Sequence, residues 1–317
     1  MILSFGVGRY PVSFWELFDI FRHKLILGQP YGDPSLETVA LTVRLPRIVL
    51  AVLIGGALSV SGASYQTLFK NPMVSPAILG VSAGASFGAA LAMLYDAPWW
   101  QIQSSAFFFG LAAVAAAYLI AWTFGRQELT AMVLAGVIVG SLFGALLSIL
   151  KLLADTESAL PSIVFWLMGS LGRVSNRDVM IMAPILAISL GLLFLYRYQI
   201  NALAMGEEVA VTLGVDVRVV KLLVVAAATL MTVASVTVCG VVGWIGLVVP
   251  HLSRLLAGAD YPKLIAASFG LGGLILLLID DLARGLPGAE LPLGVLTSLI
   301  GAPVFVFLLT RVKKAWL

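Results

Sequence analysis

The sequence predicts an all-α, polytopic membrane protein, and composition, hydropathy and the length of the apolar runs all favour that fold class. Of the 317 residues, 61% are hydrophobic and 11% are charged, and the mean hydropathy is +1.05. Soluble domains are roughly 45–50% apolar and about 25% charged, because polar side chains must cover their surface. Most of the surface of this protein is therefore expected to face lipid.

Nine apolar segments are predicted to cross the membrane, because the hydrocarbon core takes roughly 20 residues of helix. The segment 241–257 is shorter, rich in glycine and interrupted by Pro250, which predicts an irregular crossing. The nine predicted spans are 47–69, 75–95, 104–124, 129–154, 177–198, 219–240, 241–257, 263–284 and 291–311.

The distribution of lysine and arginine predicts the orientation, because basic residues concentrate in short cytoplasmic loops. The C-terminal tail carries Arg311, Lys313 and Lys314, so it is predicted to be cytoplasmic. Counting back through nine spans places residues 1–46 outside. Residues 1–7 are largely apolar and resemble the last turns of a further helix, so a first span that is truncated or missing is expected.

The residues also exclude several classes of protein. No P-loop sequence occurs, and the largest cytoplasmic loop, 199–218, is too short for a nucleotide-binding domain. One cysteine (Cys239) and two distant histidines (His23 and His251) argue against a transition-metal site, and the scattered basic residues argue against nucleic-acid binding. The chain is expected to be one transmembrane domain over 1–317, without a catalytic site or a cofactor of its own.

The carboxylates argue against an ion-coupled carrier. Such carriers need a carboxylate or an unwound coordination site near the bilayer midplane. Asp280 and Asp281 come closest, but they lie near the outer end of their predicted span. An ion-coupled secondary transporter is therefore the weaker alternative, and energy for uphill transport is expected to come from another polypeptide.

The loop 199–218 is the most informative predicted cytoplasmic segment. Its apolar residues allow two short helices, with Gly206 and Gly214 as breakers. Glu207 and Glu208 form an exposed acidic pair. The pattern suits a helical elbow that docks on a soluble partner, and it suits an ordinary solvated connector equally well.

Three arginines are predicted at the outer surface. Arg44 and Arg47 flank Pro46 where a span begins, and Arg284 ends another span on the same side. Guanidinium groups are suited to bidentate pairing with carboxylates. Docking of a soluble partner and snorkelling of the side chains to lipid headgroups both explain them.

Small residues mark one face of the span 129–154. Gly136, Gly140 and Gly144 recur every four residues, which favours close helix packing over a pore-lining role. Ser141 and Ser148 share one face of the same span, and with Gly136 they are the candidates for lining a transport pathway.

Several blocks, in order, resemble the permease subunits of type II ABC importers, the FecCD-type family that carries iron-siderophores, haem and vitamin B12. Any one block is weakly specific, but the series extends from about residue 40 to the C-terminus. The blocks are Arg44-Leu45-Pro46-Arg47, Gly55–Gly62, Gln66–Pro72, Leu79–Gly84, Gly206-Glu207-Glu208, Leu213-Gly214, Gly243–His251, Glu290–Val295 and Gly301–Phe305.

The resemblance implies an assembly. Such permeases have ten helices and form homodimers with the pathway between the two copies. Two cytoplasmic ATPase subunits, which hold ATP and Mg, dock on one side, and a periplasmic or lipid-anchored binding protein docks on the other. The resemblance assigns docking of the binding protein to Arg44, Arg47 and Arg284, and coupling to the ATPase to Leu203, Met205, Gly206, Glu207, Glu208, Ala210, Leu213 and Gly214.

The resemblance also implies a location and a class of cargo. The chain is expected in the cytoplasmic (inner) membrane of a bacterium or archaeon, in contact with lipid. A metal chelate such as an iron-siderophore, haem or a cobalamin is the expected cargo, and an oxyanion such as molybdate or tungstate is the alternative.

Overall fold

The computed structural model describes residues 1–8, 10, 12–29, 31–125, 129–286 and 290–312. Within these residues the chain is a helical bundle without β-strands, as the composition predicts. The α-helices are α1 (Phe14–Phe21), α2 (Pro34–Glu37), α3 (Leu45–Leu68), α4 (Val81–Leu94), α5 (Trp99–Gly125), α6 (Leu129–Leu153), α7 (Ala159–Met168), α8 (Asn176–Leu195), α9 (Arg197–Met205), α10 (Glu207–Thr212), α11 (Val217–Cys239), α12 (Ile245–Ala257), α13 (Tyr261–Gly285) and α14 (Leu293–Val312).

Six helical segments of the described chain are long and apolar enough to cross a membrane, and four apolar helices are shorter. Each of the nine predicted spans overlaps one of these ten segments, whereas α7 was not predicted. The number of crossings stays a prediction, because length and composition alone do not establish that a short helix crosses. The long segments are Pro34–Leu68, Trp99–Thr123, Thr130–Leu153, Asn176–Leu195, Val217–Cys239 and Tyr261–Gly285.

The helix α3 lies at the centre of the bundle and packs along α13, α11 and α12. Close approach to α13 depends on glycine, because a Cβ atom on Gly55 would lie 2.2 Å from the carbonyl oxygen of Gly272. Small residues let helix backbones approach closely where the surrounding lipid offers no hydrophobic driving force for association. The core of the bundle is therefore built around α3.

The first residues differ from the sequence-based interpretation. Leu3–Phe5 form a single 3-10 turn rather than a regular α-helix, and a first span that is truncated or missing stays a prediction. Ser4 and Phe5 are buried, and the Ser4 hydroxyl donates a hydrogen bond to Asp281, 2.7 Å away. These tertiary contacts hold the segment against α13.

The remainder of the predicted external segment, 1–46, is largely helical. A capping box begins α1, in which Ser13 and Glu16 bond to each other's backbone N–H groups. Further along, α2 continues through π-helical turns at Thr38–Arg44 into α3. The long helix therefore begins at Pro34 rather than at residue 47, and the Ser13-x-x-Glu16 pattern was a signal for α1 that sequence analysis missed.

The break before α12 confirms that 241–257 is irregular, and its crossing of the membrane stays a prediction. Residues 240–244 are not helical, and Trp244 has a positive φ of 67°. The break lies beside the end of α7 and the start of α14. The Ser170 N–H donates to the Cys239 carbonyl at 2.8 Å, and the Leu293 N–H donates to the Gly169 carbonyl at 2.9 Å. The ends of α7 and α11 and the start of α14 therefore satisfy one another's backbone groups.

Candidate coupling and docking sites

The segment 197–214 forms two short helices, as its sequence predicts. The helices α9 and α10 meet at Gly206, which has a φ of 147° that L side chains rarely adopt. Gly214, with a φ of 76°, follows α10 and separates it from α11. The two glycines thus act as the breakers that the sequence indicates.

The exposure of side chains divides the predicted coupling residues into two groups. Met205 (72% exposed) and Leu213 (63% exposed) project from the bundle, and Glu207 and Glu208 are also exposed. The other apolar side chains in the set, Leu203 and Ala210, are 2% and 0% exposed, so they anchor the segment and cannot contact a partner directly in this structure.

Val211 was missed by sequence analysis. It is 62% exposed and lies on α10 between Met205 and Leu213 in the chain. Exposed apolar side chains on a short surface helix, rimmed by two carboxylates, are typical of a protein–protein contact. Alternation of buried and exposed residues on α10 became visible only once the helix was placed on the bundle.

Polar contacts fix the segment to the neighbouring helices. The side-chain oxygen of Asn201 accepts a hydrogen bond from the Tyr261 N–H (3.1 Å), and its amide nitrogen donates to Asp260 (3.3 Å). Glu207 forms an ion pair with Lys221 at 2.7 Å. A displacement of α9 or α10 would therefore be transmitted to the first turns of α13 and α11. Neither Asn201 nor Lys221 was a candidate from the sequence.

The three arginines predicted at the surface are buried. Arg44, Arg47 and Arg284 are 5%, 6% and 6% exposed, so the expectation of guanidinium groups presented to solvent is wrong. A buried charge is costly unless it is paired and hydrogen-bonded. Each guanidinium accordingly has partners inside the chain.

An ion-pair cluster joins α3 to α13 at this end of the bundle. Arg47 pairs with Asp280 at 2.9 Å and with Glu290 at 3.0 Å. Arg284 pairs with Asp280 at 3.0 Å, one turn away on the same helix, and with Asp281. Asp280 is fully buried and lies between the two arginines, which identifies it as the central anion of the cluster.

Arg44 differs from the other two arginines. Its guanidinium donates to the backbone carbonyls of Phe5 and Tyr10, and no carboxylate of the described chain lies within ion-pairing distance. The N-terminal segment thus covers Arg44 with neutral acceptors. Arg44 is the member of the three that keeps an uncompensated positive charge.

The pathway candidates on α6 also divide. Gly136 is buried against Ile78 and Leu79, so it is a packing residue and lines no open surface in this structure. Ser141 and Ser148 are both exposed, and Ser148 bonds only to the Gly144 carbonyl of its own helix. The two serines therefore lie on the exposed surface of α6 and stay candidates for lining a pathway. Gly136 serves helix packing, which was the other explanation for the glycines of this helix.

A cavity of about 470 Å³ lies beside the break at 240–244, between the end of α7 and the start of α14. Its only hydroxyl group belongs to Ser298, and the rest of the lining is apolar or backbone: Leu167, Met168, Val241, Gly243, Gly294, Val295 and Leu299. In the described residues no group of three or more His, Cys, Asp or Glu side chains could hold a metal ion.

Comparison with known proteins identifies the family. The profile of the FecCD transport family matches residues 1–311. The chain is 38% identical to the molybdate import system permease protein MolB of Haemophilus influenzae over 99% of this chain and 92% of the relative. It is 37% identical to the hemin transport system permease protein HmuU of Yersinia pestis, over 89% of this chain and 86% of HmuU.

A solved structure supports the same assignment. A metal-chelate type ABC transporter in an inward-facing conformation superposes with a TM-score of 0.87 at 35% identity, over 98% of this chain and 94% of that one. Its helical architecture confirms the predicted fold class. The chain belongs to the FecCD transport family and is a multi-pass membrane protein related to the permease subunits of ABC importers.

Proposed function

We propose that this chain is the permease subunit of a binding-protein-dependent ABC importer and forms, as a homodimer, the pathway for a metal chelate. Transport is powered by two copies of a separate cytoplasmic ATPase. The observation that carries the proposal is that the segment 197–214 exposes apolar side chains while polar contacts hold it against α11 and α13. The chain resides in the cytoplasmic membrane with its C-terminus inside.

The coupling role is tested with Met205→Glu and Leu213→Glu. Each change places a charge in the apolar contact, so we expect a tagged chain to lose ATP hydrolysis that co-purifies with it from its own membranes. Tyr95→Glu is the matched control, because Tyr95 is 77% exposed and lies in the loop between α4 and α5, at the end of the bundle remote from the segment.

The acidic pair gives a second measurement at the same segment. Glu208→Lys is the cleaner charge reversal, because Glu207 also pairs with Lys221 whereas Glu208 has no ion pair in the described residues. We expect uncoupling of ATP hydrolysis from transport, or weaker assembly, with normal membrane insertion. Wild-type ATPase recovery and transport in all three variants would contradict the coupling role.

The homodimer is supported by the exposure of α6. Only 22% of the most apolar 18-residue stretch of this helix is buried, and Leu134, Ile138 and Leu142 are each more than half exposed. A two-fold interface would cover the same surface on both copies. Ser141→Cys is expected to cross-link between copies in membranes, whereas Thr123→Cys, exposed on α5, is not.

This cross-linking is informative because Cys239, the native cysteine, is 2% exposed. Monomers only, in cross-linking of Ser141→Cys and in native mass spectrometry, would contradict the dimer.

Docking of a binding protein is proposed at the end of the bundle that carries the arginine cluster. Arg47 and Arg284 already neutralise Asp280, so replacing them would destabilise the fold as well as any docking contact. Arg44→Gln is the more selective change, and Arg173→Gln, an exposed arginine in the loop before α8, is the control. We expect Arg44→Gln alone to weaken binding-protein affinity at low salt, through loss of its uncompensated charge rather than of a direct contact, because Arg44 is 5% exposed. An unchanged affinity would contradict a role of Arg44 in docking.

Cargo and energy source have one alternative each. The similarity to the molybdate permease favours an oxyanion as the second candidate cargo. Uptake assays with a ferric siderophore, haem, cobalamin and molybdate, in cells with and without the gene, separate the two. An ion-coupled carrier would transport in liposomes under an ion gradient with no ATPase present, and the proposed permease would not.

A further inference from the structure

A groove between α5, α8 and α11 is not explained by coupling, docking or transport. It encloses about 290 Å³, and it lies at the end of the bundle where α5 and α8 begin and α11 ends. The predicted orientation places this end outside the cytoplasm. The lining residues are Trp100, Gln103, Ser104, Phe107, Arg177, Asp178, Ile181, Ile185, Thr237 and Val238.

The polar and apolar residues of the groove are separated along the helix axes. Trp100 and Arg177 lie at the start of α5 and α8, and Phe107 and Ile185 lie two turns further along the same helices. At 1.5 Å per residue these pairs are separated by roughly 10–12 Å along the axes. That distance spans the change from the headgroup region to the acyl chains of one leaflet, so the groove has the polarity profile of a lipid.

Arg177 supplies the charge that a lipid phosphate requires. The side chain is exposed, and among the described residues no carboxylate lies within 4 Å of its guanidinium. A positive charge at the outer end of a span runs against the tendency of basic residues to be cytoplasmic. A guanidinium group matches the geometry of phosphate oxygens.

The neighbouring Asp178 keeps its negative charge, but its carboxylate oxygens are occupied by hydrogen bonds within the protein. Its carboxylate accepts hydrogen bonds from the Gln103 amide (2.6 Å) and from the N–H and hydroxyl of Ser175 (both 2.8 Å). Asp178 is 4% exposed, so it acts as a structural link between α5 and α8. The cation at the mouth of the groove is therefore Arg177.

The apolar part of the groove has a continuation. A second cavity of about 460 Å³ begins one turn beyond Phe107, between α5 and α11, and its lining is almost entirely apolar. Leu111, Val114 and Leu230 are among its lining residues. Trp100, half-exposed beside Arg177, is of the residue type enriched where headgroups meet acyl chains.

We propose that this groove binds one glycerophospholipid, with its phosphate on Arg177 and an acyl chain along Phe107, Ile181 and Ile185. The site holds the lipid at the junction of α5, α8 and the end of α11. It is independent of the cargo and of the ATPase.

The test measures lipid retained by the purified full chain in native mass spectrometry, after detergent washing and addition of phosphatidylglycerol. Wild type is expected to retain one phosphatidylglycerol per chain, and Arg177→Glu to reduce that occupancy at least tenfold. Arg173→Glu is the control, because Arg173 is also exposed near this end but stacks on Trp99 outside the groove. Equal retention by wild type and Arg177→Glu, or equal losses in the two variants, would overturn the site.

Three further measurements need no charge reversal. Ile185→Trp fills the groove two turns away from Arg177 and is expected to lower retention as well. With wild type, dioleoylglycerol, which lacks the phosphate, is expected not to be retained. Inorganic phosphate is expected not to compete with phosphatidylglycerol. Retention of dioleoylglycerol would show that the phosphate is not recognised, and competition by inorganic phosphate would show a site for a free anion, so either result would overturn the proposal.

Discussion

The helices α3 and α6 are both strongly apolar, but α3 is buried inside the bundle and α6 lies at its surface. The most apolar window of the segment ending in α3 has a mean hydropathy of 1.9 and is 83% buried, whereas that of α6 has a hydropathy of 2.5 and is 22% buried. The more hydrophobic helix is thus the more exposed one. In a bilayer the surrounding solvent is as apolar as leucine, so hydrophobicity alone does not drive a helix into the interior.

What distinguishes α3 is its small and polar side chains. Ser61 bonds to Thr232 on α11 at 2.7 Å, and Ser64 bonds to the Tyr261 hydroxyl on α13 at 2.8 Å. The corresponding serines of α6, Ser141 and Ser148, have no partner on another described helix. Burial within this membrane protein therefore follows close backbone approach and interhelical polar contacts.

The largest effect is expected from a side chain added to α3. In Gly62→Leu a Cβ atom would lie 1.8 Å from the Gly246 carbonyl oxygen of α12, so α3 and α12 would have to separate. We expect little monodisperse protein in fluorescence size-exclusion chromatography. Gly144→Leu on α6 is the control, because nothing lies within 4 Å of its Cβ position. Equal yields of the two variants would contradict the central role of α3.

An intermediate effect is expected when the ion-pair cluster loses one charge. Arg47→Met removes two ion pairs and leaves Glu290 without its guanidinium partner, while Asp280 keeps only Arg284. Breaking a buried pair in this way costs about 3–5 kcal/mol of unfolding free energy. Denaturation in detergent micelles measures the change.

Arg173→Met is the control for that experiment, since Arg173 is exposed and has no ion pair in the described residues. A loss below about 1 kcal/mol for Arg47→Met, the range of exposed pairs, would mean that the cluster is not a brace between α3 and α13.

The smallest effect is expected from one hydroxyl. Ser61→Ala removes the bonds to Thr232 and to the Ala228 carbonyl (2.9 Å), and interhelical bonds of this kind average about 0.6 kcal/mol. Ser148→Ala on α6 loses only a bond within its own helix and is expected to change the unfolding free energy by less. If Ser148→Ala cost as much as Ser61→Ala, the polar contacts of α3 would not explain its position.

Prediction from sequence succeeded where the signal is local. The helical elbow within 199–218 was predicted from the apolar residues of that loop and from two glycines as breakers, and both glycines have backbone conformations that break helices. The irregular start of the segment 241–257 was predicted from its glycines, whereas Pro250, which was expected to interrupt the segment, lies inside α12. Each of these features depends on neighbouring residues in the chain.

Prediction failed where partners are distant in sequence. Arg47 and Asp280 are separated by 233 positions, so nothing local showed that the arginine would be neutralised inside the bundle. Gly136 was a pathway candidate until its contact with Ile78 and Leu79 was visible. Leu203 and Ala210 were assigned to coupling by the family resemblance, and helices of six to nine residues give too short a pattern to show which face is buried.

The sequence by itself determined that the chain is an apolar helical membrane protein, roughly where its helices lie, and the family to which its ordered motifs belong. Only the tertiary structure decided which helix is central, that Arg44, Arg47 and Arg284 are buried, and which coupling residues are free to touch a partner. The physical reason is that chain composition and local spacing fix solvent preference and backbone conformation. Neutralising a buried charge, or admitting a second helix to close contact, depends on residues that only the folded bundle brings together.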